Sequence, residues 1–174
     1  MRNKKNTLSQ ICLYFCIVLC FALIFVQMVF PFWTAEVSVK NADGERVMQE
    51  ETLSLWGFLS FPENDVQKQF NKNFKATYGD AYDINDVAGT GCLVLILGVV
   101  SIIFILLKPN KAWTFMFPLA CGISGVLGYL TQPVLQAGNL WIVHLILSGL
   151  IIVATVIPCI HFIKAIKSWL TEED

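Results

Sequence analysis

Charged residues are scarce in this sequence, and four long stretches contain none. Asp, Glu, Lys and Arg make up 14% of the 174 residues, whereas a soluble globular domain carries roughly 25%. The four stretches without them are the apolar runs 8–30, 87–107, 112–130 and 140–163. As a helix, each run covers the roughly 30 Å hydrocarbon core of a bilayer. The sequence therefore predicts an all-α membrane protein, a bundle of four transmembrane helices in contact with the lipid bilayer.

Cysteine and glycosylation sequences are absent from the polar segment between the first two runs, 32–86. Disulfides therefore cannot stabilise this segment. A membrane enzyme that generates disulfides is also excluded, because such an enzyme needs a cysteine pair facing outward. The six cysteines of the chain lie in or beside the apolar runs. Both absences favour the plasma (cell) membrane of a bacterium over that of an animal cell.

The residues that enzymes and transporters need are missing as well. Transporters and ion pathways normally keep buried acids or bases in their spans, and here the runs offer only His144 and His161 as basic side chains. No Ser/His/Asp set or Gly-rich phosphate loop is present. We therefore expect no enzyme, no cofactor and no metal site. Gln27 and His144 are candidate intramembrane polar residues, and we expect Gln27 to hydrogen-bond within the bundle.

Basic residues cluster at particular ends of the apolar runs, which predicts the topology. They are Arg2, Lys4, Lys5, Lys108, Lys111, Lys164 and Lys167. Because short cytoplasmic loops collect Lys and Arg, we expect both termini inside and segment 32–86 outside. That segment has ten acidic and five basic residues. Such an acidic surface excludes nucleic-acid binding, which requires clustered basic residues.

Segment 32–86 has the pattern of a small sheet-plus-helix cap. Residues 35–40 alternate as a half-buried strand does, and Asp43-Gly44 is a strong hairpin turn signal. A return strand should run through 45–49 and continue toward 53–58. Ser60 and Glu63 form a capping box, which predicts a helix over 62–78. Its apolar residues recur every four positions, so this face should dock on the sheet.

An apolar cluster in the cap is the candidate partner-binding surface. Its members are Leu55, Trp56, Phe58, Leu59 and Phe61, with Trp33 as support. These side chains are too apolar for an exposed loop. Packing inside the cap is the equal alternative for every one of them.

Small residues recur at helical spacing in two of the runs. Cys12, Cys16 and Cys20 share one face of the first run. A metal or redox site on this face would need convergent ligands from other helices, so a packing face is favoured. Lipidation of Cys12 is left open. In the third run the rows are Ala120-Ser124-Gly128 and Cys121-Gly125. This spacing predicts a helix at the centre of the bundle.

Acidic residues cluster just before the second run, at Asp80, Asp83 and Asp86. Carboxylates suit Ca²⁺, but their spacing is not that of an EF-hand loop. Turn formation and an N-cap for the next helix are favoured instead.

The order of elements resembles the claudin-like four-transmembrane superfamily, the claudins and peripheral myelin protein relatives. Trp33 follows the first run closely, and Ser54-Leu55-Trp56 stands where claudins have Gly-Leu-Trp. A short helix before the second span, here 62–78, is a further shared feature. The loop disulfide of claudins is missing. The resemblance implies a four-helix bundle with an extracellular sheet. It does not imply a tight-junction function.

Together these features predict a non-enzymatic membrane protein that acts as a scaffold, adhesion molecule or auxiliary subunit through its cap. Its partner would be another membrane protein or a copy of itself. The alternative is a small transporter or lipid-binding component with a site between the helices at Gln27 and His144.

Overall fold

The computed structural model describes residues 2–29, 33–53, 65–79, 84–109, 111, 113–130 and 139–171. Within these ranges the chain is mostly helical, with one two-stranded antiparallel sheet. The elements in chain order are α1 (Arg2–Val29), β1 (Trp33–Lys40), β2 (Arg46–Leu53), α2 (Asp65–Tyr78), α3 (Ile84–Leu107), α4 (Met116–Leu130) and α5 (Asn139–Thr171).

Two helices are long and apolar enough to cross a membrane. The qualifying stretches are Thr7–Val29 in α1 and Ile142–Ser168 in α5. The apolar stretches described in α3 and α4, Gly91–Leu107 and Met116–Gly128, are shorter.

The long helices extend beyond the predicted runs. Helix α1 begins at Arg2, before the run that starts at Leu8, and α5 continues past Ile163 to Thr171. No Gly or Pro lies in either extension. Polar helix formers such as Lys therefore prolong both helices beyond their apolar parts.

The third apolar helix begins later than predicted, at Met116 and not at 112. The residues before it form a turn. The Thr114 N–H donates to the Lys111 carbonyl at 3.1 Å, and the Thr114 hydroxyl donates to the Lys108 carbonyl at 2.8 Å. Both acceptor carbonyls follow the end of α3 at Leu107, so the turn between α3 and α4 extends beyond Lys111.

The four apolar helices pack in a ring. Helix α1 packs against α3 and α5, while α4 packs against the other sides of α3 and α5. Two apolar clusters fill the interior: Leu13, Cys16, Ile105 and Phe115 form one, and Leu19, Cys20, Leu23, Val94, Ile102, Cys121 and Ile151 form the other. The prediction of α4 as a central helix is wrong, because each helix of the ring has two main neighbours.

The predicted hairpin is confirmed, with a longer turn than a two-residue Asp-Gly loop. Strands β1 and β2 pair from Trp33 opposite Leu53 to Lys40 opposite Arg46. Gly44 has φ of 83°, a left-handed conformation that favours glycine. The Asn41 side chain completes the turn by accepting the N–H of Glu45 at 2.8 Å.

Helix α2 docks on the hairpin with its phenylalanine face, as predicted. Phe70 and Phe74 are buried, and so is Val37 of β1. The Phe74 ring contacts Tyr78 with centroids 4.9 Å apart. Gly79 ends the helix at φ of 67°, and its N–H donates to the Lys75 carbonyl, as a helix C-cap glycine does.

Candidate functional site

Two polar side chains from different helices meet in the apolar interior. Gln27 of α1 and His144 of α5 are 1% and 2% exposed, and Gln27 Nε2 lies 2.9 Å from His144 Nε2. An amide nitrogen can only donate, so the imidazole nitrogen accepts. The expected hydrogen bond of Gln27 within the helices is thus confirmed.

Ser148 joins this pair to form a buried polar cluster of Gln27, His144 and Ser148. It lies one turn after His144 on the same face of α5 and is completely buried. In the described part of the chain, Gln27 Oε1 and Ser148 Oγ have no hydrogen-bond partner. An unsatisfied buried polar group costs about 1–3 kcal/mol. The cluster therefore has one acceptor and one hydroxyl available for a water molecule or a polar group of a ligand.

Glycines of α4 bring this helix into close contact with the cluster. A Cβ atom at Gly125 would overlap the Ser148 side chain and lie 3.3 Å from His144 Cε1. A Cβ atom at Gly122 would lie 2.9 Å from the Ser148 carbonyl oxygen. Ala120 and Ser124 are only half-buried. The predicted small-residue packing thus uses the row that contains Cys121 and Gly125, joined by Gly122.

The cysteines of α1 belong to the apolar core. Cys16 and Cys20 are completely buried. Cys20 and Cys121 of α4 lie in the same apolar cluster, and the Cys121 thiol donates to the Val94 carbonyl at 3.6 Å. No group of three or more metal-ligating side chains occurs among the residues described. The arrangement supports the interpretation of this stripe as a packing face.

In the cap, α2 closes the outer edge of β1 with polar side chains. The Ser38 N–H donates to Thr77 Oγ1 at 2.8 Å, and the Tyr78 hydroxyl donates to the Glu36 carbonyl at 2.8 Å. Partial burial, together with the Glu36 carboxylate, raises the pKa of Tyr78, which keeps the hydroxyl protonated as a donor. These two bonds occupy the outward Ser38 N–H and Glu36 C=O, which hinders pairing of this edge with another chain.

The middle of α2 reaches across to β2 at Asn73. Asn73 Nδ2 donates to Glu51 Oε1 at 2.7 Å, and Asn73 Oδ1 accepts from Gln69 Nε2 at 3.1 Å. An open groove of about 470 Å³ lies here; its lining residues are Glu51, Thr52, Asp65, Gln69 and Phe70. Helix α2 therefore crosses the hairpin obliquely, from the end of β2 to the middle of β1.

The first part of β2 is left exposed by this arrangement. Residues 46–50 are all exposed, including Val47 at 43% and Met48 at 60%. Among the elements that the structure describes, β1 and α2 make the main contacts with β2. The outer edge of β2 is consequently open, in contrast to that of β1.

Several residues predicted as sites lie outside the described residues. They are Leu55, Trp56, Phe58, Leu59 and Phe61 of the partner-binding cluster, and Asp80 and Asp83 of the acidic cluster. Trp33 opens β1 opposite Leu53, and Asp86 lies in α3. The side chains of these two residues are not among those described.

Sequence reasoning found two members of the buried polar cluster and missed the third. Ser148 follows His144 by one helical turn, and this spacing is the signal that would have identified it. Thr77 and Asn73, which attach α2 to the hairpin, have no comparable signal because polar residues are common on an exposed helix face.

Comparisons of the chain with models of known protein families and with curated proteins find no match.

Proposed function

We propose that this chain is an integral membrane protein whose four apolar helices form a transmembrane bundle. Only 33% of the most apolar stretch of α1 and 28% of that of α5 is buried. The core helix of a soluble protein would be mostly buried. Large apolar side chains cover the outside instead, among them Phe15, Phe21, Phe25, Ile96, Leu106, Leu127, Ile146 and Val153. Lipid is the environment that such a surface requires.

The proposed topology has both termini inside and the hairpin with α2 outside, as the basic residues favour. A claudin-like architecture is part of the same proposal. It is supported by the sheet and helix that stand between the first two apolar helices. A bacterial cell membrane remains the proposed location.

Within this framework we infer a non-enzymatic role, in which the cap binds another protein as a scaffold, adhesion molecule or auxiliary subunit. The observation that carries this proposal is the difference between the two strand edges. Helix α2 closes the edge of β1, whereas residues 46–50 of β2 are exposed. An open edge strand is a template for pairing with another polypeptide.

Photocrosslinking in the native membrane tests this role. A photoreactive residue at Met48 should give a discrete protein adduct, identified by mass spectrometry. The matched control is Ala76, which is exposed on α2 away from the β2 edge and should give no such adduct. A third probe at Phe58 tests the predicted apolar cluster. Lipid adducts alone from Met48 and Phe58 would contradict a binding role of the cap.

A second candidate function is supported by the buried polar cluster. A transporter or lipid-binding component would use Gln27, His144 and Ser148 to hold a polar group between the helices, and two of their oxygens have no partner among the described residues. Mass spectrometry of lipids retained by the purified chain tests this role. A defined lipid that disappears in His144→Ala would support it, and an unchanged lipid profile would contradict it.

A further inference from the structure

The hairpin places like charges opposite each other on its solvent face. In the register of the sheet, Lys40 faces Arg46 and Glu36 faces Glu50. Like-charged residues directly opposite each other destabilise a sheet. All four residues are exposed, and they lie on the face opposite to buried Val37, since side chains alternate along a strand. One end of this face is therefore positive and the other negative.

The backbone of β2 is available for pairing at the same positions. The Ser38 N–H points away from β2, because it donates to Thr77. Ser38 and its opposite residue Met48 are thus a pair whose backbone groups do not bond to each other. Met48, and by alternation Arg46 and Glu50, present their N–H and C=O groups at the outer edge of β2.

We infer that the occupant of this edge is a second copy of the chain, paired antiparallel through β2. Met48 lies opposite Met48 of the other copy, and Arg46 of each copy lies opposite Glu50 of the other. The positive end of each hairpin then adjoins the negative end of its neighbour. This inference rests on the proposed binding role of the cap and names its partner.

The sequence of β2 allows this arrangement in one register only. A shift by one residue moves the side chains of one copy to the other face. A shift of one copy by two residues along the strand places Arg46 opposite either Met48 or Thr52, so the charge pairs are lost. In the inferred register the next pair would join Glu45 with Glu51, two acids, so pairing is favourable from 46 to 50. These are the residues that are all exposed.

The dimer formed in this way is closed. Its four strands follow the order β1-β2-β2-β1, and α2 covers the outer edge of β1 in each copy. The outward Ser38 N–H and Glu36 C=O of each copy are already bonded to α2 and are not available to a third copy. A two-stranded hairpin is marginal by itself, whereas a sheet of more strands is more stable.

Disulfide trapping in the full chain in detergent tests the register. Met48→Cys should form a disulfide dimer under mild oxidation, because residues opposite each other in this kind of pair have Cα atoms about 5.5 Å apart. Thr52→Cys is the matched control: it is exposed on the same face, yet the two copies of this residue would be roughly 27 Å apart. The native chain measures the background from its own six cysteines.

Charge exchange identifies the pairing residues. In the Met48→Cys background, Arg46→Glu and Glu50→Arg should each lower the dimer yield about tenfold, because acids or bases then face each other. Mixing the two variants should restore the yield, since two acids on one copy face two bases on the other. Neither change adds a like-charge pair within the hairpin, so loss of folding is not expected.

The outcomes separate this inference from the proposed function. Equal trapping at Met48 and Thr52, or no rescue on mixing, would overturn the pairing of two copies. If a photoreactive residue at Met48 still captured a different protein in the native membrane, the binding role would stand and the second copy would not. If photoreactive residues at Met48 and at Phe58 both captured no protein, the binding role and the second copy would both fall.

Discussion

In the apolar helices, a hydrogen bond between elements joins Gln27 to His144, and both side chains are almost completely buried. In the cap, Thr77 and Tyr78 attach α2 to β1 from positions that are only partly buried. Water can replace a lost partner in the cap, but it has no ready access to the helix interior. Loss of one hydrogen-bond partner should therefore destabilise the helices more than the cap.

The two regions also differ in how closely neighbouring elements approach their glycines. The helices need Gly122 and Gly125 because the side chain and carbonyl of Ser148 occupy the space where a Cβ atom would lie. In the cap, Gly44 and Gly79 have open space around them and are required only for positive φ. An added side-chain atom should thus meet neighbouring atoms between the helices and open space in the cap. The following experiments test this difference.

The largest effect is expected from Gly125→Ala. The added methyl group meets the Ser148 side chain, and overpacking of this kind costs about 1–3 kcal/mol. Gly149→Ala is the matched control on α5, since nothing lies within 4 Å of its Cβ position. That control should keep or raise stability, because alanine is the better helix former. Reversible unfolding in detergent measures both, and equal effects would contradict the close approach of α4 and α5.

An intermediate effect is expected from breaking the Gln27–His144 bond. Each single change, Gln27→Leu and His144→Leu, should lower the free energy of unfolding by about 1–2 kcal/mol, because it leaves the other side chain without this partner. The double variant should lose less than the sum, with a coupling energy of about 1 kcal/mol. His161→Leu is the control, since His161 is only partly buried. Strict additivity in the cycle would contradict the bond.

The smallest effect is expected from Tyr78 in the cap. Its pKa is raised above the ordinary value of 10.0 by burial and by Glu36, so the folded state favours the protonated hydroxyl. The stability from this group is complete below the unfolded pKa and is lost as pH rises through the folded pKa. Melting curves from about pH 9 to about pH 12 should therefore fall more steeply for the native chain than for Tyr78→Phe. Parallel curves would show that the hydroxyl does not contribute.

Much of the fold could be predicted from the sequence because its signals are local. The apolar runs predicted the helices, Asp43-Gly44 predicted the hairpin turn, and the spacing of Phe70 and Phe74 predicted the docking face of α2. The helix ends were less predictable. Lys164 and its neighbours continue α5 although they are polar, because helix propensity and hydrophobicity are different properties.

The candidate sites depended more strongly on tertiary structure. Gln27 and His144 were identified as unusual polar residues in apolar runs, but their contact joins positions 117 residues apart, and such a pairing has no local signal. The charge pattern of the hairpin shows the same limit. The like-charge pairs that Arg46 and Glu50 form with Lys40 and Glu36 can be recognised only from the register of the sheet.

The sequence by itself determined which segments are apolar helices, where the hairpin turns and which face of α2 is apolar, since hydrophobic periodicity and turn chemistry act over a few residues. Tertiary structure alone decided that Ser148 completes the buried cluster, that Gly122 and Gly125 face it, and that α2 closes β1 while β2 stays open. The physical reason is that burial, close approach and edge closure are properties of pairs of elements, and such pairs are set only when the whole chain packs.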